Sequence, residues 1–189
     1  MSTPEVIQSV ERSREGVTTS LVEAWTYLNL LRGISAAAQA GISERKVRCA
    51  DQFYRASFSA LCSAIGTLLD GDDDVHSLPR LTRRLRASWA DDAELLALAD
   101  EVEAEIGSDG FSVRLTRWRN KVVAHRTNGA TDPVFYQSNR VDLEEVAEFL
   151  ASTTAALNRL SVKFDGVEYH SLESAVPTLR EETAELFGR

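Results

Sequence analysis

The sequence predicts an all-α fold, a bundle of helices packed up and down. Three observations carry this. Gly and Pro are scarce, 10 and 4 in 189 residues, while Ala and Leu are common, a balance that favours helix over sheet. Apolar residues recur at helical spacing through most of the chain. No segment sustains the apolar–polar alternation of a half-buried strand. The length suits one domain with at most a small appendage, and it allows a core that needs no staples. We place a helical domain at 1–165 and a C-terminal helical appendage at 166–189.

The first helix opens at "STPE", a hydroxyl cap followed by proline in the first turn. Its apolar stripe is Val6, Val10, Val17, Leu21, Trp25, Leu28 and Leu31. Gly33 and Gly41 bracket "GISAAAQAG", which reads as a connection. Ser43 caps a second helix with the stripe Val47, Ala50, Tyr54, Phe58, Leu61, Ile65 and Leu68, and this helix stops at the acidic turn "DGDDD". Ser77 and Pro79 open a short basic helix. Asp91 or Asp92 caps the next, which ends on Gly107.

After "SDG" a helix spans 112–125, with Asn128 and Gly129 as its stop. "TDPVFYQSNR" is a loop. Asp142 and Glu145 form a capping box for a helix with the stripe Val146, Phe149, Leu150, Thr153, Leu157 and Leu160. "SVKFDGVEY" suits a small hairpin turning on Asp-Gly, and a last helix begins near Pro177.

Composition excludes several classes. The opening "MSTPEVIQSVERSRE" has no apolar core of the signal-peptide kind, and no run of about 18 apolar residues exists to span a membrane. A cytoplasmic location is expected. Cys49 and Cys62 fall on roughly opposite faces of one helix, which disfavours a bridge and suggests two buried free thiols. There is no phosphate-binding glycine loop, no G-x-S-x-G elbow and no Cys-x-x-Cys pair. His76, His125 and His170 are too scattered to hold zinc, and Asp70, Asp72, Asp73 and Asp74 lack the pattern of a calcium loop. No metal and no cofactor is expected.

Charge is distributed unevenly. The formal net charge is −8, yet 75–90 carries Arg80, Arg83, Arg84 and Arg86 without an acid, and 110–131 carries Arg114, Arg117, Arg119, Lys121 and Arg126 without an acid. Removing these nine from the 21 basic residues leaves 12 against 29 acidic ones. Two basic islands in an acidic chain suit a polyanion partner. They also suit solvated helix faces matched by acidic neighbours.

The segment "RLTRWRNKVVAHRTNG" carries the candidate chemistry. Arginine clamps phosphate bidentately, and histidine exchanges protons near neutral pH. A guanidinium with an imidazole suffices to cleave RNA through its own 2′-hydroxyl, the guanidinium stabilising the phosphorane. Asn120 has the chemistry to orient phosphate or histidine. Arg119 and His125 lie about 120° apart on an ideal helix, so two copies facing across a two-fold axis would form a tighter cleft than one. The competing reading pairs Arg119 with an acid of a neighbouring helix and lets His125 cap its own helix.

Arginine, a polar residue, four further residues and histidine resembles the motif of HEPN (higher eukaryotes and prokaryotes nucleotide-binding) domains. "RNKVVAHR" resembles the abortive-infection, AbiU-like branch more narrowly. "FYRASFSALCSAIGTLLDGDDDVHSLPRLTRRL" resembles that branch's long helix, its Leu-Asp ending and the short helix that follows. The resemblance covers about 20–165. It implies a homodimeric helical bundle with facing motifs and a metal-independent endoribonuclease of toxin–antitoxin or anti-phage defence. Arg119, Asn120 and His125 would be catalytic, and Arg80, Arg83, Arg84, Arg114, Arg117, Lys121 and Arg126 would contact RNA. Other HEPN proteins are non-catalytic binding or regulatory modules, partnered by an antitoxin or a nucleotidyltransferase. The sequence departs from the branch at Thr127, where Asp is common.

Overall fold

The computed structural model describes residues 4–106, 110–120, 137–165 and 178–188. They form seven helices: α1 (Pro4–Ala40), α2 (Glu44–Leu68), α3 (Leu78–Ser88), α4 (Ala93–Ile106), α5 (Gly110–Trp118), α6 (Leu143–Asp165) and α7 (Leu179–Phe187). Among the described residues there is no strand, so the fold class is all-α.

The spine is α1, which runs straight through "GISAAAQAG" to Ala40 where a connection was expected. Alanine has the highest helix propensity, and a run of it offsets one interior glycine. Gly33 has a packing reason. A Cβ there would sit 2.6 Å from the Arg180 carbonyl oxygen and from Thr183 Cβ, so its absence lets α7 lie against α1. The helix ends at Gly41, whose φ of 97° is the left-handed conformation that glycine tolerates.

The caps mostly follow the sequence. Ser77 Oγ accepts from the Arg80 N–H at 3.4 Å. Asp92 Oδ1 accepts from the N–H groups of Glu94 and Leu95 at 3.2 and 3.1 Å. Asp142 and Glu145 form the capping box: Asp142 Oδ1 accepts from the Glu144 N–H, and the Asp142 N–H donates to Glu145 Oε2. Ser43 stands at the N-cap of α2, but its hydroxyl makes no capping bond. The hairpin does not form as expected, because 161–165 are the last turn of α6. Its remaining residues lie outside the described set.

The principal core gathers Leu21, Leu28, Leu31, Leu61, Ile65, Leu81, Leu85, Leu150 and Leu157, all less than 2% exposed, from α1, α2, α3 and α6. Trp25 donates through Nε1 to Thr154 Oγ1 at 3.4 Å, and Arg32 of α1 pairs with Glu144 at the start of α6, which fixes these helices antiparallel. A smaller cluster, Ile34, Ala37, Ala50 and Phe187, joins α7 to α1 and α2. The segment read as an appendage thus contributes Phe187 to packing. Val47 departs from its predicted stripe and is half exposed, because only the later turns of α2 face the main core. Among the described residues no helix is long and apolar enough to cross a membrane.

The cysteines are free but unequal: Cys62 is buried in the core, while Cys49, expected to be buried, is exposed. Burial pushes the Cys62 thiol up from 9.0 to about 12. A raised pKa means the fold favours the protonated thiol. Its contribution to stability is therefore full below about pH 9 and is lost as pH rises toward 12. A disulfide-exchange reagent should count one fast thiol on the native protein and the second only at the rate of unfolding. Two equally fast thiols would contradict the packing of α2.

Candidate functional site

Aromatic packing brings α5 to the end of α2. Trp118 is buried edge-on against Phe58, with ring centroids 5.1 Å apart, and donates its indole N–H to the Asn139 carbonyl. Phe111 meets Phe149 of α6 at 5.5 Å. These aromatic contacts fix the rotation of α5, and the next residue, Arg119, is turned across the last turn of α2. Arg119 and Asn120 take a wider, π-helical turn, a local irregularity frequent at functional sites.

Arg119 reaches α2 because of a glycine. A Cβ at Gly66 would lie 2.3 Å from Arg119 Cδ, so the arginine stem occupies the space that any other side chain would fill. Its Nη1 donates to the Gly66 carbonyl oxygen at 3.2 Å and to Asp70 Oδ2 at 3.3 Å. The helix partner for the Gly66 carbonyl would be the Asp70 N–H, which instead donates to Thr67 O. Arg119 therefore satisfies an orphan carbonyl at the negative end of α2. Its Nε donates to Asn120 Oδ1 at 3.3 Å. Among the described residues its Nη2 carries no hydrogen bond, and the side chain is 34% exposed. The guanidinium is oriented from one side and keeps donors for a ligand on the other.

The acidic turn after α2 receives both basic islands. Besides Arg119 on Asp70, Arg83 of α3 donates to the Gly71 carbonyl at 2.9 Å and to Asp73 Oδ1 at 2.6 Å. Asp70 and Asp72 also accept from the N–H groups two residues on, which holds the turn. Islands without acid in sequence are thus supplied with acid in space. Arg86 bridges Asp100 and Glu103 of α4, and this hydrogen bond holds the Glu103 carboxyl below its ordinary pKa. Arg114 donates through one Nη2 to both oxygens of Glu145 at 2.8 and 2.9 Å. Arg117 donates to Asn139 Oδ1 at 3.3 Å and is otherwise exposed.

Arg84 differs from its neighbours. It turns inward and donates to the Ser9 carbonyl at 3.0 Å, to the Ser9 hydroxyl and to Ser13 Oγ, tying α3 to α1. Burial first, then Arg80, lowers its pKa, opposed by Asp73. Arg80 is half-buried on the same helix, its Nε without an acceptor. Lys121, His125, Arg126 and Thr127 lie outside the described residues. The structure therefore joins Arg119, Asn120, Asp70 and Gly66, and sets Arg83 on the same turn. It places Arg84 and Arg114 in contacts of their own. Sequence reading missed Gly66. The available signal was a lone glycine inside a strongly periodic helix, which usually has a packing reason.

No group of three or more His, Cys, Asp or Glu side chains suited to a metal occurs among the described residues. Fold and site define an all-α bundle that presents an Arg-Asn pair from a helix end, held against the acidic end of its longest neighbour but one. The model of the HEPN-class family AbiU2 matches residues 8–175, and the chain belongs to that family. No curated protein and no solved structure matches it.

Two substitutions test this geometry. Gly66→Ala should keep the fold, with an unfolding temperature unchanged or slightly raised, since alanine gains up to about 1 kcal/mol of helix propensity. It should release Arg119 from α2, seen as a shift of the Arg119 Nε–H resonance. An unmoved resonance in the folded variant would refute the contact. Arg84→Ala should destabilise by about 1–3 kcal/mol through three lost charged hydrogen bonds, whereas exposed Arg83→Ala should change stability by less than about 1 kcal/mol. Equal losses in chemical denaturation would contradict the division.

Proposed function

We propose that this protein is a metal-independent endoribonuclease of abortive-infection or toxin–antitoxin defence, acting as a homodimer with facing motifs. The observation that carries the reading is the Arg119 guanidinium, held by Gly66 O and Asp70 with Nη2 unengaged among the described residues. A donor fixed in this way stabilises charge as it develops on a phosphorane without paying for reorganisation. Asn120, bonded to Nε, steadies the plane of the guanidinium. The resemblance of the motif supports the rest of the reading, in which His125 acts as acid or base.

The reaction needs only the RNA and these groups. The 2′-oxygen attacks phosphorus and its proton passes to an imidazole. The bond from phosphorus to the 5′-oxygen breaks, and that oxygen takes a proton from an imidazolium. The products are a 2′,3′-cyclic phosphate and a 5′-hydroxyl. Two copies supply one imidazole for each transfer. An apolar depression of about 260 Å³ beside the motif, lined by Leu69, Ile106, Val113 and Thr116, supports a partner surface there. Arg117, exposed on the rim, would contribute phosphate contacts.

Asp70 supports the alternative, a non-catalytic regulatory module bound to an antitoxin or nucleotidyltransferase, because its carboxylate lies 3.3 Å from the guanidinium and partly neutralises it. Thr127 points the same way. Purified protein with labelled single-stranded RNA separates the two. Cleavage should be unaffected by EDTA, leave cyclic phosphate ends, and fall about a hundredfold or more in His125→Ala and Arg119→Ala. Cleavage that persists in His125→Ala, or stops with EDTA, rejects the mechanism. A folded wild type that cleaves no RNA selects the regulatory module.

A further inference from the structure

A second charged concavity lies away from Arg119. A cavity of about 430 Å³ opens between the last turns of α1, the start of α6 and the start of α7. Three arginines from these separate parts of the chain, Arg32, Arg140 and Arg180, line it together with Gln39, Val141 and Leu143. Two carboxylates, Asp142 and Glu144, also line it, so the three arginines outweigh them by one charge. Glu144 pairs with Arg32, and Asp142 accepts the Glu144 N–H as the cap of α6. Arg140 and Arg180 are exposed, and neither has a hydrogen bond or ion pair among the described residues. Arg32 is largely buried, yet its Nε has no acceptor.

This arrangement differs from the basic islands, whose arginines mostly have carboxylate, carbonyl or hydroxyl partners in the protein. Like charges brought together from distant positions repel, and neither Arg140 nor Arg180 has an ion pair among the described residues. An anion with several oxygens would offset that repulsion; the N-terminus of α6 takes no part, because Asp142 and Glu145 already cap it. Guanidinium forks match phosphate oxygens bidentately. The apolar faces of Val141 and Leu143 suit an uncharged portion. The volume is that of a small-molecule site.

We propose that this cavity binds a small organic phosphate, with Arg140 and Arg180 clamping its phosphate group and Val141 and Leu143 flanking its carbon skeleton. The site uses none of the cleavage residues, so its test is independent of ribonuclease activity. The experiment is isothermal titration of the full chain with inorganic pyrophosphate at low ionic strength. Wild type is compared with Arg140→Ala, with Arg140→Ala/Arg180→Ala, and with Arg12→Ala as an exposed arginine outside the cavity. Saturable binding should weaken at least tenfold in the double variant and measurably in the single one, with unfolding temperatures unchanged and Arg12→Ala like wild type. No saturable binding in wild type, equal binding in the double variant, or an equal loss in Arg12→Ala overturns the proposal. So does a 5′-phosphorylated RNA oligonucleotide that needs both arginines where pyrophosphate does not bind.

Discussion

The contact between Arg119 and the end of α2 is the one on which the site depends. It requires a missing Cβ at Gly66, an orphan carbonyl in the last helical turn, and a carboxylate one turn later at Asp70. Each has a physical reason. The carbonyl needs a donor, the C-terminal end of a helix favours a cation, and the carboxylate adds attraction at a half-screened site. The energy gained is small against the core. Its value lies in direction: a long flexible side chain is reduced to one pose beside Asn120. The aromatic pair Phe58–Trp118 sets that pose by fixing α5 against α2.

Charge in this protein is organised around the acidic turn 70–74. Arg83 and Arg119 belong to different islands and lie 36 residues apart in sequence, yet both donate to this turn. The net charge of −8 thus conceals local compensation. Arg84, Arg86 and Arg114 are drawn into internal contacts, leaving Arg117 and the free face of Arg119 as the most available positive groups near the motif among the described residues. The RNA contact proposed for these groups would depend on the exposed arginines more than on the count of basic residues, because an ion-paired guanidinium releases little when phosphate arrives.

Much of the fold was legible in the sequence because helical periodicity and caps are local. The stripe of α6 and its Asp142–Glu145 box follow directly from residue spacing, as do the starts at Ser77 and Asp92. Non-local causes were harder to read. Gly33 looked like a breaker because its partner, α7, lies nearly 150 residues on. Val47 and Cys49 follow α2 past the edge of the main core, and where a core ends is not a periodic property. Of the candidate site, the motif Arg119–Asn120 was visible as residue types in order, while Gly66 and Asp70 join it only through the approach of α5. His125 lies outside the described residues, and the role proposed for it rests on the resemblance of its motif to the family's.

The central claim is that Arg119 is held by α2 so that its free donors meet phosphate. The most direct measurement is arginine side-chain nuclear magnetic resonance of the full protein, titrated with an RNA oligonucleotide carrying 2′-O-methyl groups that block cleavage. The account predicts a saturable shift of the Arg119 Nε–H signal in wild type, with weaker binding when Gly66→Ala releases the side chain. RNA binding that leaves the Arg119 signal unmoved, or that is indifferent to Gly66→Ala, would contradict it.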